Sequence, residues 1–332
     1  MGDIYYLNPE EYRAIENLIA SINSRVRDEN HLHRMALTAC EEMPLSIRRL
    51  LADYRSEGLG ATLRIAGFTV DDASIGLTPA TTRPDPARTI MREDIYLALM
   101  ASCLGTPFSF ASQQDGHLTQ NIVPMKTAEF SQLGAGSKEE LVWHTEDAFS
   151  DHRPDFILLF GMRNPQGVAT TVACLPPETD ENDIKFLFNK NFMFLPDPDH
   201  ASHLAHVTHE AGRIAHAKMQ AMIENPPVES VLFGNPVDPY IRIDPQFMKP
   251  INLQDKSVAA YERLVERIEQ AQRDVVIAQG ELLIVDNHRA VHGRRSFQPR
   301  YDGSDRWLKK INVVQDFRRL KELRFHERQF AV

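Results

Sequence analysis

Asp155-Phe-Ile-Leu-Leu-Phe-Gly-Met162 and Gly167-Val-Ala-Thr-Thr-Val-Ala-Cys-Leu175 decide the fold class. Both runs are short, apolar and rich in aromatic or β-branched residues, which is the texture of strands buried in a sheet. Arg163-Asn-Pro-Gln-Gly167 joins them with turn residues, so the pair is expected to be a hairpin. The same texture returns at Asp274–Ala278, Glu281–Val285 and Trp307–Val314, with Gln279-Gly280 as a tight turn. A helix is expected from about Gln254 to Gln272, ahead of these strands.

Upstream, the first hundred residues are mainly helical in pattern. Asn8-Pro9-Glu10-Glu11 is an N-cap followed by proline at the first helical position and acids in the first turn. Tyr12, Ile15, Leu18, Ile19 and Ile22 then recur at helical spacing. Further helices are expected at about Leu45–Tyr54 and Arg92–Cys103, with a strand over Ala61–Phe68 between them. Strands dominate the second half and helices the front. The expected class is α+β: a β-sandwich or jelly-roll barrel (a double-stranded β-helix) with an N-terminal helical layer. One domain over residues 1–332 is expected, with 1–105 as helical support and 106–332 as the core.

The composition is that of a globular chain, with 42% hydrophobic and 25% charged residues. A net charge of −9 argues against a non-specific grip on nucleic acid or anionic lipid. No stretch of 18 apolar residues exists, and the start, MGDIYYLNPEEYRAIENL, lacks the apolar run of a signal peptide. Cys40, Cys103 and Cys174 are odd in number and widely spaced, so they read as free thiols in a reducing cytoplasm.

Residues 198–227 fit neither period. They carry His200, His203, His206, His209 and His216, but the zinc-protease pattern fails because His209-Glu210 continues with Ala, Gly and Arg. The segment reads as a solvated helix or flap, and a thirty-residue insertion of this kind is expected to be a lid.

The chemistry lies in Leu141-Val-Trp-His-Thr-Glu-Asp-Ala-Phe149. His144-Thr-Glu146 is the one His-x-acid triplet in a chain with 13 histidines. On a strand, positions i and i+2 face the same way, so an imidazole and a carboxylate can reach one ion. A distant histidine, His292 in Val285-Asp-Asn-His-Arg-Ala-Val-His-Gly-Arg294, would complete two histidines and a carboxylate, the facial set of iron(II) oxygenases. Arg306 follows His292 by 14 residues and can clamp a carboxylate with its planar fork.

Several stretches together resemble one family. They are Ser112–Gly116, Trp143–Phe149, Gly167–Thr171, Tyr240–Asp244, Asn287–Gly303 and Asp305–Lys309. The chain is similar to the clavaminate-synthase-like branch of the iron(II)/2-oxoglutarate oxygenases. Within it, the chain most resembles hydroxylases of free L-arginine, of the kind found in viomycin biosynthesis. The resemblance implies that His144, Glu146 and His292 bind iron, and that Arg306 holds the distal carboxylate of 2-oxoglutarate with help from Thr171. It implies that Gln113 and Glu146 meet the amino-acid end of the substrate and that Asp244 takes the guanidinium. His288 competes with His292 for the third ligand position, but the relatives have an arginine there. The implied reaction is hydroxylation at C3 or C4 by O2 and 2-oxoglutarate, releasing succinate and CO2.

The match departs at Gln246, where relatives carry a second acid, and at Lys310, where they carry an arginine for the substrate α-carboxylate. Gly134 stands where their pocket has a small polar residue. Arginine, citrulline, another amino acid and a carrier-bound amino acid all remain open as substrates, as does desaturation. A catalytically silent jelly-roll binding protein and a zinc hydrolase built on the histidine-rich segment are the readings from other classes.

Overall fold

The computed structural model describes residues 4–57, 60–82, 90–198, 200, 210–323 and 330–332. Two sheets face each other. The larger contains β1 (Ile4–Tyr6), β2 (Thr62–Ala66), β3 (Thr106–Phe108), β4 (Gln120–Ile122), β6 (Phe156–Arg163), β14 (Leu282–Asp286) and β16 (Trp307–Val314). Its order is β1-β2-β14-β6-β16-β3, with β4 also paired to β16. The smaller contains β5 (Leu141–His144), β7 (Ala169–Cys174), β13 (Arg273–Val276) and β15 (Ala290–Arg294), in the order β13-β7-β15-β5. Two small sheets sit beside them: β8 (Phe192–Phe194), β9 (Val228–Glu229) and β12 (Met248–Pro250) form one, and β10 (Leu232–Asn235) with β11 (Asp238–Ile241) the other.

Alternation along each strand sorts the core into layers. Phe156, Leu158, Phe160 and Met162 of β6 pack outward on the helices, whereas Ile157 and Leu159 point into the barrel. Leu282 and Ile284 of β14 face the helices, and Leu283 and Val285 face inward. The helical layer is α1 (Pro9–Asn23), α2 (Glu29–Ala39), α3 (Leu45–Glu57) and α5 (Arg92–Leu104), with the single-turn α4 (Asp72–Ile75) beside it. Asn8 caps α1 in a full capping box with Glu11, as the local sequence requires. The outer face of the small sheet is covered by α6 (Glu181–Leu187) and α8 (Lys256–Ala271), whose Leu187, Ala260, Leu264 and Ile268 meet Trp143, Ala173 and Val291.

One connection differs from expectation. β6 and β7 are not a hairpin: β6 lies between β14 and β16, and β7 lies between β13 and β15 in the other sheet. Gln279-Gly280 is the expected tight turn, closed by the Glu281 N–H on the Ala278 carbonyl at 3.1 Å, and it carries the chain from the small sheet to the large one. Turn residues mark a change of direction but not whether the chain returns to the same sheet. That is decided by both faces of β6 being covered, which a jelly-roll achieves by alternating sheets. Gly280 is needed at the crossing, with φ +77° and a Cβ position 1.9 Å from the Phe68 carbonyl oxygen. Residues 198–227, expected to be a solvated helix or flap, contain a helix, α7 (Glu210–Glu224). Its Met219 joins the core under the small sheet. Residues 199 and 201–209 of the expected lid, with His203, His206 and His209, lie outside the described residues.

His33 on α2 is fully buried, and neither ring nitrogen has a hydrogen-bond partner among the described residues. Burial pushes its pKa down to about 4, against the pull of Glu29 and Asp94. A depressed histidine pKa means the unfolded chain takes up a proton that the folded chain refuses. The stability it contributes is therefore complete above about pH 6.5 and is lost as pH falls towards 4, by up to about 3 kcal/mol. His33→Leu is expected to lessen the loss of stability between pH 7.5 and pH 5 in urea unfolding. An equal loss in both proteins would contradict this.

Candidate active site

β5 and β15 pair so that His292 lies directly across from His144. Their rings are 4.7 Å apart by centroid. Glu146 follows the end of β5, and its Oε2 stands 3.3 Å from His292 Nε2. One ligand atom from each of His144, Glu146 and His292 lies within 4.8 Å of the others, which fits a single metal ion. His144 donates from Nδ1 to the Val142 carbonyl at 2.9 Å, leaving Nε2 as the free ligand atom. His288 is turned away: its Nε2 is 2.8 Å from Asp155 and its Nδ1 3.2 Å from Arg153.

Asn287 holds the carboxylate-bearing turn. Its side chain accepts from the Glu146 N–H at 2.7 Å and donates to the carbonyls of Glu146 at 3.0 Å and Pro154 at 2.9 Å. Asp147 then turns the chain in the left-handed region at φ 51°, a conformation aspartate tolerates better than most residues. Protonation suits a cation. Burial alone would raise the Glu146 pKa, but Lys310, His292 and His144 hold it well below the usual carboxylate range. Burial keeps His292 neutral below the ordinary histidine range. A charged carboxylate and a neutral imidazole are the forms that ligate a divalent ion.

A cavity of about 170 Å³ opens beside this trio. Arg306, just ahead of β16, and Leu308 and Lys310 on it all line the cavity. Arg306 is buried, with burial and the neighbouring Arg294 pushing its pKa down to about 9. Among the described residues its hydrogen-bond partner is the Thr170 hydroxyl at 3.3 Å, and its Nε has none. A buried guanidinium so poorly satisfied is the place for an anion. Lys310 is paired with Glu146 through a short contact to Oε1.

Thr171 corrects the expected set. β7 pairs with β15 so that Thr170 stands opposite Arg294 and Thr171 opposite Gly293. Thr170 shares the inward face with His292, Arg294 and Val172, whereas Thr171 points outward and does not line the cavity. The threonine on Arg306 is Thr170, one residue and therefore one face away. His200 is a second correction: it is fully buried against Ser112 and Asp147 rather than solvated.

Gln113, Asp244, Gln246 and Gly134 line the cavity. The Asp244 carboxylate accepts from the backbone N–H groups of Gln246 at 3.1 Å and Phe247 at 3.2 Å. Its pKa is raised, first by burial and also by Asp197. Asp197, Asp147, Arg294 and Asn287 were not singled out by sequence reasoning. Asp147 and Asn287 sit inside the quoted motifs, but only folding shows what they touch. Asp197 is 47 positions from Asp244 in the chain and carries no motif signal.

Residues 196–311 match the family described as taurine catabolism dioxygenase TauD, TfdA family. The chain is 38% identical over 292 residues to an enduracididine beta-hydroxylase of Streptomyces hygroscopicus, covering 86% of this chain and 85% of that one. It is 34% identical over 328 residues to an L-ornithine/L-arginine 3-hydroxylase of Catenulispora acidiphila, covering 94% of both. The non-haem iron oxygenase OrfP, solved with Fe, succinate and (3S)-hydroxy-L-Arg, superposes with a TM-score of 0.93 at 35% identity and covers 100% of both chains. With its jelly-roll core, its clustered histidines and carboxylate and these relatives at full length, the chain belongs to the TauD/TfdA family of non-haem iron, 2-oxoglutarate-dependent oxygenases.

Proposed function

We propose that the chain hydroxylates C3 or C4 of free L-arginine or a close analogue, consuming O2 and 2-oxoglutarate and releasing succinate and CO2. His144, Glu146 and His292 would hold iron(II). Bound there with 2-oxoglutarate, the iron supplies the oxidising power to place oxygen in an unactivated C–H bond. The rest of the work is placement by the chain. Arg306 takes the distal carboxylate of 2-oxoglutarate through its planar fork, with the Thr170 hydroxyl beside it. Gln113 and Glu146 receive the substrate ammonium. Lys310, already on Glu146, is the cation within reach of the α-carboxylate.

The observation that carries arginine is the acidic pair at the cavity wall. Asp244 and Asp197 both line it, and among the described residues no lysine or arginine forms a salt bridge with Asp244. A guanidinium would balance the charge of the Asp244 carboxylate; a neutral urea would leave that charge without a counter-ion. Asp197 supplies the second acid that Gln246 does not. The hydroxy-arginine in OrfP and the substrates named for the Catenulispora relative support the same choice. Residues 1–332 act as one oxygenase domain, with 1–105 supporting the barrel of 106–332. Among the described residues no helix is long and apolar enough to cross a membrane. The three cysteines are free, which favours a reducing, cytoplasmic setting.

Succinate release, measured with arginine, citrulline, homoarginine, lysine, ornithine and asparagine, is expected to be stimulated most by arginine. Stimulation by none would move the substrate to a carrier-bound amino acid. Asp244→Asn is expected to raise the KM for arginine by about 10- to 100-fold, the worth of a charged hydrogen bond, while citrulline is affected little. Equal effects on both would remove Asp244 from the guanidinium. Arg306→Lys keeps the charge but loses the fork, and is expected to raise the 2-oxoglutarate KM by roughly tenfold or more. An unchanged value would displace Arg306 from the co-substrate.

A further inference from the structure

Behind the cavity wall lies a buried polar chain that the reaction as assigned does not use. Gln113, Gln120 and Asp147 line the cavity, and Ser112 and His200 stand behind them. The His200 ring is edge-on to Phe110 and Phe149, with centroids 5.6 and 4.9 Å away. Its Nδ1 is 2.5 Å from Ser112 Oγ and its Nε2 is 3.0 Å from Asp147 Oδ1. The side-chain amide of Gln113 donates to the same Asp147 oxygen at 3.2 Å, and its Nε2 is 3.1 Å from His200 Nε2. Gln120 Nε2 is 3.4 Å from Gln113 Oε1.

A glutamine amide offers two donors at one end and an acceptor at the other, and only its surroundings decide which end faces a ligand. Asp147 Oδ1 is an acceptor whether or not Oδ2 carries a proton. Turning the Gln113 carbonyl towards it would set two acceptors against each other in a buried site, which is costly. The NH2 therefore stays on Asp147, and the carbonyl faces Gln120 and the cavity. His200 fixes the Asp147 carboxylate, and the Ser112 hydroxyl fixes the far side of the His200 ring. Phe110 and Phe149 flank the buried ring, and the other carboxylate near it, Asp197 Oδ2, stands at 4.0 Å from Nε2 against 3.0 Å for Asp147 Oδ1.

We propose that Ser112, His200 and Asp147 are positioning residues that lock the Gln113 amide with its carbonyl towards the substrate, so that the site demands a protonated primary amine there. The proposal deepens the functional reading above and rests on Gln113 meeting the amino-acid end. It makes the free ammonium a specificity determinant set from behind the wall, without direct contact between His200 and the substrate.

The test compares the binding of L-arginine with that of its des-amino analogue, 5-guanidinopentanoate. Anaerobic calorimetry on the full chain with iron(II) and 2-oxoglutarate prevents turnover. Wild type is expected to favour arginine by about 10- to 100-fold, the range of a charge-assisted hydrogen bond. His200→Leu is expected to cut that ratio at least about fivefold, because the amide is then free to turn. Asp147→Gly, which keeps the left-handed backbone without strain, should do the same. His200→Gln, which restores a donor to Asp147, should keep the ratio within about twofold of wild type. Binding of 2-oxoglutarate by each variant reports that it is folded, and Asp147→Gly carries the test if His200→Leu is not. Wild type that ignores the ammonium would overturn the placement of Gln113. Discrimination in wild type that survives in both His200→Leu and Asp147→Gly would overturn this proposal alone, as would His200→Gln behaving like His200→Leu.

Discussion

The pairing of His292 with His144 across β15 and β5 is the constraint on which the site depends. Two imidazoles on adjacent strands can reach one ion only if their residues are in register and on the same face. A slip of one residue would send His292 to the helix-covered side of the small sheet. The register is fixed by what lies on that other side. Trp143, Ala173 and Val291 are buried there against α6 and α8, so the slip would also carry apolar groups into the polar interior and His292 into an apolar layer. The facing arrangement of the two imidazoles is thus held by ordinary hydrophobic packing of the opposite face.

The interior of this barrel is unusually charged. Glu146, Lys310, Arg294 and Arg306 are all buried within a few strands of one another. Glu146 and Lys310 satisfy each other. Arg294 is held by the carbonyls of Gly136 and Glu139. Arg306 is left with the Thr170 hydroxyl and an unpartnered Nε. Removing one member of a buried charge set costs several kcal/mol because the others lose their compensation. On the proposed placement, a dianionic co-substrate would be a structural partner as well as a reactant, supplying beside Arg306 the negative charge that the described residues do not.

Much of this was legible in the letters. Asn8-Pro9 with Glu10-Glu11 marks a helix start because capping is a local matter, and the strands at 155–162 and 307–314 follow from apolar runs of the right length. The i, i+2 spacing pointed to His144 and Glu146 as neighbours, but Glu146 lies in the turn after β5, where Asn287 rather than strand alternation holds it beside His292. What failed was whatever depends on long-range pairing. The hairpin between β6 and β7 does not exist because each strand finds partners distant in sequence. Thr171 was chosen over Thr170 because the letters do not say which face of β7 turns inward. His200 looked solvated because its neighbours in sequence are polar, whereas its neighbours in space are Phe110 and Phe149. Asp197 reaches Asp244 only through the fold.

The central claim is that His144, Glu146, His292 and Arg306 form one pre-built site for iron(II) and 2-oxoglutarate together. Anaerobic titration of the protein with iron(II) and then 2-oxoglutarate tests it directly. A visible metal-to-ligand absorption band that saturates at one equivalent per chain, and that His292→Ala abolishes, is the result this account requires. Absence of the band in wild type, or its persistence in His292→Ala, would contradict it.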